Sequence, residues 1–295
     1  SGSNGGLLAA MPGAYPLCAK LLPAMATPLT LFDEDDMTAA PLLPHARVRM
    51  TVAYDGTRFH GFAVNPGVPT VGGRLTEALE RFLRHPVELT CAGRTDKGVH
   101  AHGQVVDFVT TEGVDLDGLC RAVNALCGPE VAVREPAIVP MAFSSRFDAT
   151  SRTYRYTIHN DEVPDPFSVH RAWHVKEPLE LDVLRLACDP LIGTHDFTSF
   201  CRRPKRSDGT EASLVREVRS ARWEVVDDQT LRFWIQASSF CHQMVRSVVG
   251  TLVDVGRGKL TAGDVRGIIA ARDRRAAGTV APPEGLTLWH VGYPG

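Results

Sequence analysis

The sequence predicts an α+β fold built on a mostly antiparallel sheet. Segments with strand-like alternation are separated by segments in which apolar residues recur at helical spacing. Residues 215–226 and 230–237 both show strand patterns and flank the short turn Asp227-Asp228, which is typical of a hairpin. The two halves of the chain have a similar mixture of elements, which indicates an internal pseudo-repeat. Together these observations favour an antiparallel α+β architecture over a parallel one.

The first half contains four predicted strands and two predicted helices. The alternating run 47–54 predicts a strand that ends in the turn Asp55-Gly56. Apolar residues at helical spacing predict helices over 71–84 and 116–127. Further strands are expected over residues 86–91, 104–110 and 131–139, with a loop over 92–100.

The second half has the same kinds of element. Strands are predicted over 152–159, 215–226, 230–237 and 286–291, and helices over 181–191, 240–255 and 261–271. We therefore expect an N-terminal α+β domain over 46–150 and a C-terminal α+β domain over 151–295. Residues 1–45 are expected to be a tag remnant, Ser1-Gly2-Ser3, followed by a flexible extension.

Composition excludes several classes of protein. The chain has 295 residues, 44% hydrophobic and 22% charged, as expected of a folded globular protein. No apolar run is long enough to span a membrane. The seven cysteines form no C-x-x-C pair, so we expect a reducing, cytoplasmic location and no structural zinc. Motifs for nucleotide cofactors, metalloproteases and serine hydrolases are absent, and we expect no cofactor.

Net charge does not by itself indicate a nucleic-acid-binding protein. There are 32 basic and 34 acidic residues, which gives a net charge of −2. However, 27 of the basic residues are arginine and five are lysine. Arginine suits phosphate contacts and stacking on bases, although the base composition of a gene also produces such a bias.

The loop over residues 92–101 has the composition of a functional site. Two glycines, Gly93 and Gly98, permit unusual backbone conformations and close approach of a ligand. Between them Asp96 is flanked by Arg94 and Lys97, and cations keep a carboxylate ionised, as a nucleophile or base requires. A surface turn capped by an aspartate would have the same residues.

Three other segments carry candidate groups. Tyr154 and Tyr156 face the same side of a predicted strand, where a tyrosine can stack on a base, although core packing is expected for at least one of them. Arg246 and His242 lie one turn apart on an apolar helix, and a cation there needs a carboxylate partner, for which Asp96 is a candidate. The basic run that begins at Arg202 and Arg203 suits phosphate contact or a solvated loop.

These segments together resemble the TruA family of tRNA pseudouridine synthases. The similarity extends from about residue 47 to residue 294 and consists of several motifs in order, which is more specific than any one of them. The motifs are residues 54–57, 92–101, 152–156, 195–197, 242–246 and 284–286.

The resemblance implies a pseudouridine synthase fold in which two similar α+β domains share a mostly antiparallel sheet. It also implies a homodimer that isomerises uridine to pseudouridine at positions 38–40 of the tRNA anticodon stem-loop, acting on a flipped-out base. By motif position, the catalytic residues are Asp96, Tyr154 and Arg246, and the substrate-binding residues include Arg94, which enters the RNA helix, and Leu286, in the pocket wall. Lys97 departs from the alanine common in the family, and it either contacts phosphate or alters the field at the aspartate.

The residue types suit this chemistry. Asp96 can attack C1′ of the ribose or remove a neighbouring proton to give a glycal-like intermediate, and the sequence does not choose between these. Two alternatives differ in class. One is a catalytically silent tRNA-binding chaperone on the same scaffold, and the other is an RNA-cleaving hydrolase that uses His100, His102 and His195.

Overall fold

The computed structural model of the chain describes residues 45–202 and 212–294. Its strands are β1 (His45–Tyr54), β2 (Thr90–Cys91), β3 (His100–Thr111), β4 (Val131–Val139), β5 (Ser151–Asn160), β6 (Trp173–Val175), β7 (Gly193–Asp196), β8 (Val215–Val225), β9 (Thr230–Ala237) and β10 (Leu286–Gly292). Its α-helices are α1 (Val71–Leu83), α2 (Leu116–Cys127), α3 (Leu181–Leu186), α4 (Met244–Gly256) and α5 (Asp264–Ala271). The extension predicted over residues 1–45 lies, apart from His45, outside the described residues.

All ten strands of the described ranges belong to one sheet. Its order is β4-β1-β3-β10-β5-β9-β8-β7, with β2 paired to β3 and β6 paired to β5. The β3–β10 and β5–β6 pairs are parallel, and the other pairs are antiparallel. The predicted α+β class with a mostly antiparallel sheet is therefore confirmed. The strand β10 lies between strands from the two predicted domains, and the division at residue 150 stays a prediction.

The core lies between one face of the sheet and the helices. In β1 the residues Val48, Met50 and Val52 are fully buried, whereas the alternate residues are partly exposed on the opposite face. Each of the first two helices begins at a side-chain cap: Thr70 accepts a hydrogen bond from the Gly73 amide, and Asp115 accepts one from the Gly118 amide.

The helix α4 runs through the core of the second half. Met244, Val248 and Leu252 form an apolar stripe along it and are almost completely buried. A segment that leads to β10 crosses this helix closely at Gly250, where an added Cβ would lie 1.6 Å from the Thr279 carbonyl oxygen. The absence of a side chain at Gly250 therefore allows this segment to reach the sheet beside β5.

Two predicted elements are much shorter in the structure than expected. The strand predicted over 86–91 is present only as β2, because the Val87 amide donates to the Glu80 side chain of α1 instead of joining the sheet. The helix predicted over 181–191 ends at Leu186 and is followed by a 3₁₀ turn that contains Pro190, which cannot continue an α-helix. Two short strands, β6 and β7, were not predicted. No helix of the described ranges is long and apolar enough to cross a membrane.

Candidate active site

The loop between β2 and β3 is fixed to the sheet at its start. The side chain of Gln104, which is fully buried, accepts a hydrogen bond from the Gly93 amide and donates one to the Gly93 carbonyl. The guanidinium of Arg152 donates to the carbonyl of Ala92. Further along, the hydroxyls of Tyr54 and Thr95 lie 2.7 Å apart. These contacts attach the loop to the sheet up to Thr95, the residue directly before Asp96.

The end of the loop needs a glycine. Gly98 has φ = 78°, and the Val99 amide donates to the Asp96 carbonyl, so the chain turns sharply directly after the aspartate. Gly93, in contrast, does not have a positive φ. The space beside Gly93 is open, with no atom within 4 Å of an added Cβ.

Two basic side chains flank the Asp96 carboxylate. The His242 Nε2 lies 3.3 Å from Asp96 Oδ1, and the Arg246 Nη1 lies 3.8 Å from Asp96 Oδ2. The Asp96 side chain is 34% exposed, whereas that of Arg246 is only 15% exposed. The Nε of Arg246 donates to the Ala281 carbonyl over 2.7 Å, which fixes its guanidinium. The predicted proximity of Arg246 and Asp96 is therefore observed, and the role of the pair stays a prediction.

His242 is a site residue that sequence reasoning noted but did not assign. The helix was predicted to begin at residue 240, whereas α4 begins at Met244 because Gln243 has φ = 65°. His242 therefore lies in a turn ahead of the helix, and this turn directs its ring to Asp96. The spacing of four residues between His242 and Arg246 was the signal that could have assigned His242 to the site. The left-handed conformation of Gln243, which lies between them, could not be predicted from the sequence.

Tyr154 lies on β5 beside this site. It is 9% exposed, and its ring meets Phe240 edge to face with centroids 5.1 Å apart. Burial raises the pKa of the Tyr154 phenol well above its usual value, the charge of Asp96 adds to the rise, and Arg152 opposes it. Tyr156 is fully buried and donates to the Pro282 carbonyl, so it is the core member of the pair.

The other predicted site residues surround this centre. Arg94, Lys97 and Arg202 are exposed, and the Arg202 amide donates to the His242 carbonyl. Leu286 is buried at the start of β10, opposite Tyr156 in the sheet. Arg203 lies outside the described residues.

The predicted histidine sites of a hydrolase are not brought together. His100 interacts with Asp55 and the Glu284 carbonyl, and His102 stacks on Trp289. His195 lies on β7, at the end of the sheet, with four strands between it and β3. Within residues 45–202 and 212–294, no group of three or more potential metal ligands occurs.

Two cysteines next to the site are joined. Cys201 and Cys241 form a disulfide, with their Cα atoms 5.7 Å apart. The bond connects the residue before Arg202 to the residue before His242. Cys91, Cys120, Cys127 and Cys188 are free thiols.

Comparison with known proteins gives the family. A family model described as tRNA pseudouridine synthase matches residues 50–148 and 187–294. The tRNA pseudouridine synthase A of Brevibacillus brevis is 39% identical over 249 residues, which is 84% of this chain and 99% of that protein. The same-named protein of Bacillus velezensis is 40% identical over 250 residues, and that of Bacillus subtilis is 39% identical over 251 residues, with the same coverage. This chain belongs to the tRNA pseudouridine synthase family.

This membership confirms the family resemblance that the sequence motifs indicated. Asp96, His242 and Arg246 lie inside the ranges matched by the family model, whereas Tyr154 lies between the two ranges. Among solved structures, an archaeal box H/ACA sRNP Nop10–Cbf5 complex aligns with 77% of this chain and 68% of that chain at 11% identity. Its TM-score of 0.30 is too low to inform the fold.

Proposed function

We propose that this chain isomerises uridine to pseudouridine in tRNA, at positions 38–40 of the anticodon stem-loop. The observation that carries the proposal is the Asp96 carboxylate, which is held on a braced loop between His242 and Arg246 in a chain of this family. Asp96 is the catalytic carboxylate, Arg246 its cationic partner, and Tyr154 the aromatic group beside the base.

The reaction breaks the bond from C1′ to N1 of uracil and forms a bond from C1′ to C5. The base rotates between these steps, C5 loses its proton and N1 gains one, so there is no net oxidation or reduction. Asp96 either attacks C1′ or removes a proton from the neighbouring carbon to give a glycal-like intermediate. The positive charge of Arg246 stabilises the carboxylate in either case.

Tyr154 acts mainly as a neutral stacking surface in this proposal. Because burial raises the pKa of its phenol, the phenolate is disfavoured at neutral pH. A role in removal of the C5 proton therefore needs a second acceptor to which the phenol passes its own proton. Stacking does not depend on ionisation and suits a ring held on a sheet strand.

In this proposal, exposed basic side chains around the site contact the RNA. Arg94 and Lys97 project from the catalytic loop, and Arg202 is next to the turn that carries His242. We assign Arg94 to the space left in the RNA helix by the flipped uridine, Lys97 and Arg202 to phosphate contacts, and Leu286 to the pocket wall. Arg203 is assigned to phosphate on sequence grounds alone.

We also propose a cytoplasmic homodimer. The sheet face opposite the helices is the surface that we assign to the partner subunit, because Trp234 and Trp289 are partly exposed there. Their rings meet edge to face, with centroids 5.4 Å apart. The Arg155 guanidinium lies 4.2 Å from the centre of the Trp289 ring on the same face. Light scattering should give a mass twice the 32.1 kDa of the chain. A monomeric mass would contradict the proposed dimer but would not contradict the proposed activity.

The activity is tested with an unmodified tRNA transcript that carries tritium at C5 of uridine. Tritium release, together with chemical mapping of pseudouridine to positions 38–40, is the expected result. A transcript with cytidine at those three positions is the matched control and should release no tritium. Tight tRNA binding without release would favour the chaperone, and release from the cytidine control would place the target uridine elsewhere.

A further inference from the structure

We propose that His242 is a positioning residue that holds Asp96 Oδ1 and leaves Oδ2 for the reaction. This inference rests on the proposed function, because it assigns a partner to the proposed catalytic carboxylate. It extends the site from the sequence-predicted pair, Asp96 and Arg246, to a group of three residues.

The distances separate the roles of the two basic residues. His242 Nε2 is 3.3 Å from Oδ1, close enough to form a hydrogen bond after a small rotation of the ring. Arg246 Nη1 is 3.8 Å from Oδ2, which is too long for a hydrogen bond. Arg246 also uses its Nε on the Ala281 carbonyl. Oδ2 is therefore near a positive charge but is not covered by a donor among the described residues.

The turn that carries His242 is held from both sides. The Arg202 amide donates to the His242 carbonyl over 3.0 Å, and the Met244 amide donates to the Cys241 carbonyl over 3.1 Å. Gln243, directly after His242, has a left-handed conformation and precedes the first residue of α4. The imidazole is therefore attached to a braced backbone, as a positioning residue requires.

Exposure shows from which side the site is open. The His242 side chain is 43% exposed, whereas that of Arg246 is 15% exposed. Arg246 thus approaches Asp96 from the core, and His242 approaches it at the open edge. A carboxylate is free to rotate about its last side-chain bond, and contacts to both oxygens fix its plane. Without the contact to Oδ1, Arg246 stays near Oδ2 but does not form a hydrogen bond with it, so the plane of the carboxylate is no longer fixed.

The test compares three substitutions of His242 in the full chain by single-turnover tritium release from C5-labelled tRNA. His242→Gln keeps an amide donor near the position of Nε2, His242→Asn places its donor one bond short, and His242→Leu has none. We expect His242→Leu and His242→Asn to lower the rate about tenfold and His242→Gln to stay within about threefold of wild type. The tRNA Kd should change less than about twofold in all three.

His45→Leu is the matched control, because His45 is exposed at the opposite end of β1 from Tyr54 and should not affect the rate. Equal rates for wild type and His242→Leu would overturn the inference, as would a loss in His242→Gln as large as in His242→Leu. A change confined to the Kd would mean that His242 contacts RNA rather than Asp96. An inactive wild-type protein would instead contradict the proposed function.

Discussion

Removal of the Arg152 guanidinium should destabilise the protein and the catalytic loop together. One nitrogen, Nη1, donates to the carbonyls of Ala149 and Ser238 over 3.0 and 2.9 Å. The other, Nη2, donates to the carbonyls of Ala92 and Arg146 over 3.0 and 2.8 Å. Arg152 thus joins the start of the Asp96 loop to two neighbouring segments.

The magnitude follows from these four bonds. A hydrogen bond from a charged donor contributes about 1.5–3 kcal/mol, and water replaces part of it where the carbonyls are only partly buried. We therefore expect Arg152→Met to lower the free energy of unfolding by about 3–5 kcal/mol. Arg152→Lys has all its donors on one nitrogen and reaches fewer of the four carbonyls, so about half of that loss is expected.

The assay is urea unfolding followed by tryptophan fluorescence, together with single-turnover tritium release under native conditions. The midpoint should fall with an unchanged m-value, and the rate should fall because the Ala92 carbonyl no longer holds the loop. A loss below about 1 kcal/mol in Arg152→Met would refute the reasoning, and so would equal losses in the methionine and lysine variants.

Three further predictions follow from other parts of the structure. Gly250→Ala should lower the free energy of unfolding by about 2–4 kcal/mol because its Cβ would collide with the Thr279 carbonyl. The control Gly267→Ala, in an open position of α5, should be neutral or stabilising, and equal effects would contradict the packing argument. Burial raises the pKa of Tyr54 and Tyr154 above the ordinary value of 10.0, so unfolding releases protons above that pH and stability should fall as the pH rises from there. Urea unfolding across this range should show a shallower fall in Tyr154→Phe, and an unchanged slope would count against the buried neutral phenol. Lys97→Ala should weaken tRNA binding and reduce the slope of log Kd against log salt by about 1, whereas Lys176→Ala, which removes an ion pair with Glu162, should leave the slope unchanged. No change in slope for Lys97→Ala would leave its effect on the field at Asp96 as the alternative.

The sequence predicted the elements whose burial pattern is periodic. Strands such as β1 and β9 and the helices α1 and α2 each have one apolar face against the core, and alternation or helical spacing marks them. Helix α4 is buried on nearly all sides, and its apolar composition marks it. The strands β6 and β7 have three and four residues, too few for a period to appear. They form because longer neighbouring strands offer them partners, which is a tertiary effect.

The candidate site was predictable in its residue types but not in its convergence. Asp96, Tyr154 and Arg246 were identified from the motif resemblance, and the structure places the loop before β3 close to Tyr154 on β5 and to Arg246 at the start of α4. His242 was noted one helical turn from Arg246, yet its approach to Asp96 depends on the left-handed Gln243. A positive φ at a glutamine is not indicated by the sequence. The disulfide between Cys201 and Cys241 was likewise unexpected, because the two cysteines are 40 residues apart.

The proposed reaction depends most on Asp96 as the catalytic carboxylate. The most direct measurement is tritium release from C5-labelled tRNA by wild type, Asp96→Asn and Asp228→Asn, with tRNA binding measured in parallel. Asp228 is exposed in the turn between β8 and β9 and is the matched control for a lost carboxylate. We predict release by wild type and Asp228→Asn, none by Asp96→Asn, and similar tRNA binding by all three. Release by Asp96→Asn at the wild-type rate would contradict the assignment.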